Sequence, residues 1–127
     1  MQDKYIVNEH IQGDPLAEEN LETTLELVNK FRLLFPDKTI WLYTGYTWED
    51  IIQYKTWFNK IMTIRSFEQD YHMSLRKQII QNCNVLVDGQ YMDSLRNIAL
   101  KWCGSSNQKV IDVQQSLQKG EVVLRTE

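Results

Sequence analysis

Two short apolar runs constrain this chain more than any other feature. Thr39-Ile40-Trp41-Leu42-Tyr43 and Asn84-Val85-Leu86-Val87 show no polar alternation, and each ends in turn-forming residues, Thr44-Gly45 and Asp88-Gly89. A strand wetted on one face alternates apolar with polar, so an unbroken run suits a strand buried on both faces, as in a parallel sheet. Parallel neighbours need a crossover of a dozen residues or more, usually a helix. Residues 16–35 supply one, with Leu21, Leu25, Val28, Phe31 and Phe35 on a single stripe and Pro36 as its stop. Glu18, Glu19 and Glu22 stand near its start, where the helix dipole favours negative charge. Thr47-x-x-Asp50 fits a capping box opening a second helix, whose apolar face is Ile51, Tyr54, Phe58, Ile61 and Met62. Residues 66–82 predict a further helix, polar over much of its surface. Val110–Val113 is a third strand candidate, Gln114–Lys119 a short helix closed by Gly120, and Val122–Leu124 a final strand. This alternation predicts an α/β protein with a mostly parallel sheet and right-handed crossovers.

With 127 residues, the chain is the size of one domain. Its 43% hydrophobic and 24% charged residues are ordinary globular values and exclude intrinsic disorder. A net charge of -3 argues against general nucleic-acid binding, which needs a basic surface. No apolar run approaches the roughly 20 residues that span a bilayer, and Met1–Asp14 has no signal-like apolar region, so a cytoplasmic protein is expected. Cys83 and Cys103 form no CxxC pair and are too few for a disulfide framework or a four-thiolate metal site. His10 and His72 have no companion ligands at metal-binding spacing, and GxSxG, GxxxxGKS/T and HExxH are absent.

In parallel α/β sheets, ligands sit beyond the carboxyl ends of the strands. The segments expected there are Gln12-Gly13-Asp14-Pro15, Thr44-Gly45-Tyr46, Asp88-Gly89-Gln90-Tyr91 and Gly104-Ser105-Ser106-Asn107-Gln108, which hold four of the five glycines. Each has an ordinary alternative: a glycine after a strand is a common turn, Asp14 suits an N-cap, and Asp88 suits a turn bond. What favours a ligand rim is that all four segments would fall on one side of the sheet.

QGDPL, IWLYTGYTWED, VLVDGQY and LKWCGSSNQKVIDVQQSL, in that order, resemble the activating protein of the anaerobic (class III) ribonucleotide reductase. That resemblance implies a radical S-adenosylmethionine enzyme with a partial parallel (β/α) barrel. In such enzymes a [4Fe–4S] cluster on a CxxxCxxC loop reductively cleaves S-adenosylmethionine, and the radical formed abstracts hydrogen from a glycine of the reductase. The chemistry belongs to cluster and cofactor, while the protein binds and orients. By the same resemblance Gln12, Gly13, Asp14, Thr44, Gly45, Asp88 and Asn107 face S-adenosylmethionine, although the family carries Gly where Gln12 stands.

No CxxxCxxC is present, so no metal ligand and no cluster are expected on this chain. The expectation is a single domain over residues 1–127, a truncated barrel without its first strand, cluster loop and first helix, catalytically dead alone. Its expected partners are the large reductase subunit and a separate cluster-bearing fragment, with no nucleic acid and no membrane. A non-catalytic module docking on the reductase and a small nucleotide-binding α/β domain stand as alternatives.

Overall fold

The computed structural model describes residues 4–53 and 64–126. Four strands form one sheet in the order β1 (Lys4–Ile6), β2 (Thr39–Tyr43), β3 (Val85–Asp88), β4 (Lys109–Asp112). β1 and β2 run parallel, as do β2 and β3, with Ile6 beside Trp41 and Leu42 beside Leu86. The helices are α1 (Leu21–Leu34), α2 (Trp48–Ile52), α3 (Ile64–Gln81) and α4 (Val113–Lys119). The expected apolar face at Tyr54, Phe58, Ile61 and Met62 lies outside the described residues.

The α/β class stands, as a mixed four-stranded sheet that is open rather than closed into a barrel. The strand expected at 110–113 begins at Lys109 and pairs antiparallel with β3, placing Ile111 beside Leu86. The reason is its connection. Between Asp88 and Lys109 the chain forms only the 3-10 turn Asp93–Leu95 and a bridge of Arg96 to Ser105, and no helix carries it across the sheet. It therefore returns along the same edge, which only an antiparallel partner allows. The segment at Val122–Leu124 contributes a single bridge, Leu124 to Ile111, but two backbone bonds seal β4's outer edge: Asp112 N–H to Val123 O at 2.8 Å and Arg125 N–H to Val110 O at 2.8 Å.

The sheet's two faces follow strand alternation. Ile40, Leu42, Leu86 and Ile111 turn toward the helices and share a core with Leu21, Val28, Trp48, Ile51, Ile79 and Ile80. Trp41, Val85 and Val87 turn the other way, where Ile6, Tyr43, Trp102, Cys103 and Val110 are the partly buried apolar residues packed against them among those described.

The first helix starts later than its periodicity suggests, at Leu21 rather than residue 16. Residues 12–20 are spent on a knot. Asn20 Nδ2 donates to Gln12 O (3.0 Å) and Asp14 O (2.9 Å), and Thr24 Oγ1 donates to Pro15 O (2.8 Å). Leu16, fully buried, belongs to the core from within this loop. Phe35 falls beyond the helix end and is exposed. The capping turn at Thr47 forms as expected, its hydroxyl accepting from Asp50 N–H at 3.1 Å, and Gly120 closes α4 at φ +73°.

Candidate functional site

At the carboxyl ends of β2 and β3 lies a cleft of about 570 Å³, lined by Asn8, Asp14, Tyr43, Thr44, Gly45, Gly89, Gln90, Tyr91 and Gln108. Asp14 is its organising group. One carboxylate oxygen accepts Leu16 N–H (2.9 Å) and Thr44 Oγ1–H (2.8 Å), and the other accepts Gly45 N–H (2.8 Å). The loop before α1 is thereby tied to the turn after β2. Charge-assisted bonds of this kind are among the stronger ones in a protein, so Asp14 builds the rim before it can offer anything to a ligand.

The other turns interlock in sequence around this knot. Gly45 passes so close to Gln90 that a Cβ would meet its side chain at 3.2 Å. Gly89, at φ +92°, uses a conformation open to glycine and costly for other residues, and it faces Asn107 and Gln108. Gln108 Nε2 donates to Gly89 O at 3.0 Å, while its Oε1 accepts Gly104 and Ser105 N–H at 3.0 and 3.1 Å. Gly104 packs on Tyr91, where an added Cβ would come within 3.0 Å. All four glycine-bearing segments thus meet on one side of the sheet.

The expected site residues divide. Asp14, Thr44 and Gly45 line the cleft. Gln12 and Gly13 stand beside it and are exposed, Gln12 contributing its carbonyl to Asn20. Asn107 is half-buried at the far rim; its Nδ2 donates to Gln90 O at 2.7 Å, and its Oδ1 is buried without a hydrogen-bond partner. Asp88 is fully buried away from the cleft. Its Oδ2 accepts Trp48 N–H at 2.7 Å and lies 3.2 Å from Lys109 Nζ, and its Oδ1 accepts Lys109 N–H at 3.2 Å. Strand parity explains this: Leu86 faces the helices, Val87 does not, and Asp88 faces the helices again. Burial pulls the Lys109 ammonium down, but Asp88 and Glu49 outweigh it, so the group titrates above its ordinary value.

Asn8 and Tyr43 complete the cleft and carry no sequence signal for it. Asn8 Nδ2 donates to Tyr43 O at 2.9 Å and Asn8 Oδ1 accepts Tyr43 N–H at 2.8 Å. One amide side chain thus takes the place of a backbone neighbour to β2.

The two cysteines do not suit an iron–sulfur cluster, which needs several converging thiolates. Cys83 is fully buried on the helix side, its Sγ donating to Ile79 O at 3.3 Å, and burial pushes its thiol up to about 12. Cys103 lies with the residues on the other face, half-buried, its thiol also raised by burial. Among the described residues no three His, Cys, Asp or Glu side chains group as metal ligands, and no helix is long and apolar enough to cross a membrane.

A family model described as 4Fe-4S single cluster domain matches residues 10–111. Among curated proteins, the anaerobic ribonucleoside-triphosphate reductase-activating protein of Escherichia coli (strain K12) is 33% identical over 98 residues, 77% of this chain and 50% of its own length. The proteins of the same name from Vibrio cholerae serotype O1 (33% over 98 residues, 77% and 50%) and Enterobacteria phage T4 (33% over 98 residues, 77% and 47%) are similar to the same extent. The chain spans about half the length of the curated relatives it matches. No solved structure matches it at a significant level. These likenesses do not favour either the docking-module or the small nucleotide-binding reading.

Proposed function

The chain belongs to the 4Fe-4S single cluster domain family, and from that premise we propose that it forms the cofactor-facing portion of an anaerobic ribonucleotide reductase activating protein. In this reading the sheet is an incomplete barrel of the radical S-adenosylmethionine type, the Asp14–Thr44–Gly45 cleft receives S-adenosylmethionine, and the partner is the large reductase subunit in the cytoplasm. The observation that carries it is the convergence on one cleft of the three loops that follow β1, β2 and β3. The lining is polar and neutral apart from Asp14, which suits a ligand bearing both an ammonium or sulfonium and a carboxylate. Gly45 and Gly89 permit close approach of the ligand to the main chain, and Thr44 and Asp14 hold that main chain still.

The residues of this chain do not fit a [4Fe–4S] cluster, and no step through one is assigned to it. The proposal places the cluster thiolates on polypeptide other than these 127 residues, so the chain alone binds and orients without generating a glycyl radical. Titration calorimetry with S-adenosylmethionine tests the reading: saturable binding weakened at least about tenfold by Thr44→Val is expected. No binding by the chain, either alone or with the reductase present, would overturn it.

A further inference from the structure

Arg76, on α3, is 4% exposed, and a cation so deep in a protein is kept there only by its partners. Those partners lie in two different loops. Nε donates to Leu16 O at 2.8 Å, and Nη2 donates to the Tyr46 hydroxyl at 3.1 Å, with the guanidinium carbon 4.4 Å from the centre of the Tyr46 ring. Nη1 turns back to Met73 Sδ on the same helix, 3.6 Å away. From the two loop residues the bonds continue into the cleft lining. Leu16 N–H donates to Asp14 Oδ1 at 2.9 Å, Tyr46 N–H donates to Thr44 Oγ1 at 3.2 Å, and Tyr46 O accepts Gly89 N–H at 3.0 Å. Asp14, Thr44 and Gly89 line the Asp14 cleft, whereas Arg76, Leu16 and Tyr46 do not.

We propose that Arg76 is a positioning residue of the Asp14 cleft, holding the loop before α1 and the turn after β2 at the spacing a bound ligand needs; the choice of S-adenosylmethionine as that ligand rests on the activating-protein reading. Asp14 joins the two segments on the cleft side, and Arg76 joins them from the side of the helices. Arginine suits the task because one rigid plane aims separate N–H donors at acceptors from separate loops, whereas lysine has a single head to divide between them. Bonds from a charged donor are stronger than neutral ones, and loss of the bond to Leu16 leaves a buried carbonyl without its donor. Affinity depends on how far a site is organised before its ligand arrives. A cleft whose turns drift apart therefore binds more weakly although no contact to the ligand has been removed. Through Arg76, α3 enters the function of a site to which it contributes no lining residue.

Amide hydrogen exchange and calorimetric titration with S-adenosylmethionine, both on the intact chain, test it. In Arg76→Lys, exchange should quicken at least about tenfold at Gly45 and Gly89, while the amides of Leu42 and Leu86 in the sheet keep the parent's protection. The same variant should bind S-adenosylmethionine at least about fivefold more weakly. Tyr46→Phe keeps the arginine and its bond to Leu16 and removes one acceptor, so binding about threefold weaker and faster exchange at Gly89 are expected. The double variant should bind no worse than Arg76→Lys alone, because the link to the tyrosine is already lost with the arginine. Exchange that quickens evenly across sheet and turns marks a part in overall stability only and overturns the proposal, as does Arg76→Lys binding as tightly as the parent. Should Arg76→Lys not fold, Tyr46→Phe decides: parental affinity with parental exchange at Gly89 overturns the proposal. A parent chain that does not bind S-adenosylmethionine sinks the reading of the cleft's ligand, and exchange at Gly45 and Gly89 then decides the role of Arg76 on its own.

Discussion

The two faces of the sheet are built from the same strands and held in different ways. Leu86 and Val87 are sequential and both fully buried, yet Leu86 belongs to a cluster that includes residues of each described helix, and Val87 to one that includes Trp41, Trp102 and Cys103. The helix side is closed by shape, with aliphatic groups interlocked at the density of a protein interior. The other side is closed by Trp102, a strained residue, and by charged groups lying over the rings of Trp41 and Trp102. One face is thus held by aliphatic packing and the other by contacts between rings and cations.

The contrast can be broken most directly at the adjacent pair. Leu86→Ala should cost about 3 kcal/mol in urea denaturation, because the surrounding helices cannot collapse into the space. Removal of the Asp14 charge comes next. Asp14→Asn keeps the shape but weakens three bonds made to a carboxylate, and a loss of about 2 kcal/mol is expected in the same assay, with altered amide shifts at Gly45 in NMR spectra. Val87→Ala should cost less than either, about 1.5 kcal/mol, since the hairpin on its side can settle. If Val87→Ala were to cost as much as Leu86→Ala, the two faces would be equally rigid and the comparison would fail.

The cysteines sharpen the same contrast at smaller scale. At pH 8 a thiol reagent should modify Cys103 on the open face and leave Cys83 untouched in the folded protein, with both reacting in urea. The unfolded chain releases the Cys83 proton near the ordinary 9.0, the folded chain only at about 12. Stability from this group is therefore complete below pH 9 and is lost as pH rises through that window. Cys83→Ala should make the alkaline decline in melting temperature shallower, and Cys103→Ala should change it less.

Much of the fold was legible from residue order. The run Thr39–Tyr43 is a strand at both ends as read, and Gly120 ends α4 as read, because these depend on local steric preference. The glycine turns were legible as a rim for the same reason. Asp88 was not, since its role turns on which side of the strand it faces at the point where Trp48 N–H arrives 40 residues away. Nor was Arg32, whose guanidinium reaches Lys38 O at 2.8 Å, Asn82 O at 2.9 Å and the Asn84 side chain at 2.6 Å, locking the opposite end of the sheet. Nothing around Arg32 in the sequence distinguishes it from a solvated helix residue.

By itself the sequence determined the α/β class, the strands at 39–43, 85–88 and 109–112, the helix ending at Gly120 and the four turns that gather at one end, properties carried by side-chain period and local backbone freedom, while the family was legible in its motifs. Tertiary structure alone decided that β4 runs antiparallel, that Asp14 is spent on the rim while Asp88 turns away from it, and that Trp102 and Arg125 meet on the uncovered face. Those outcomes depend on which distant groups arrive at the same place, and a buried donor or charge settles wherever its partner is, whatever the separation along the chain.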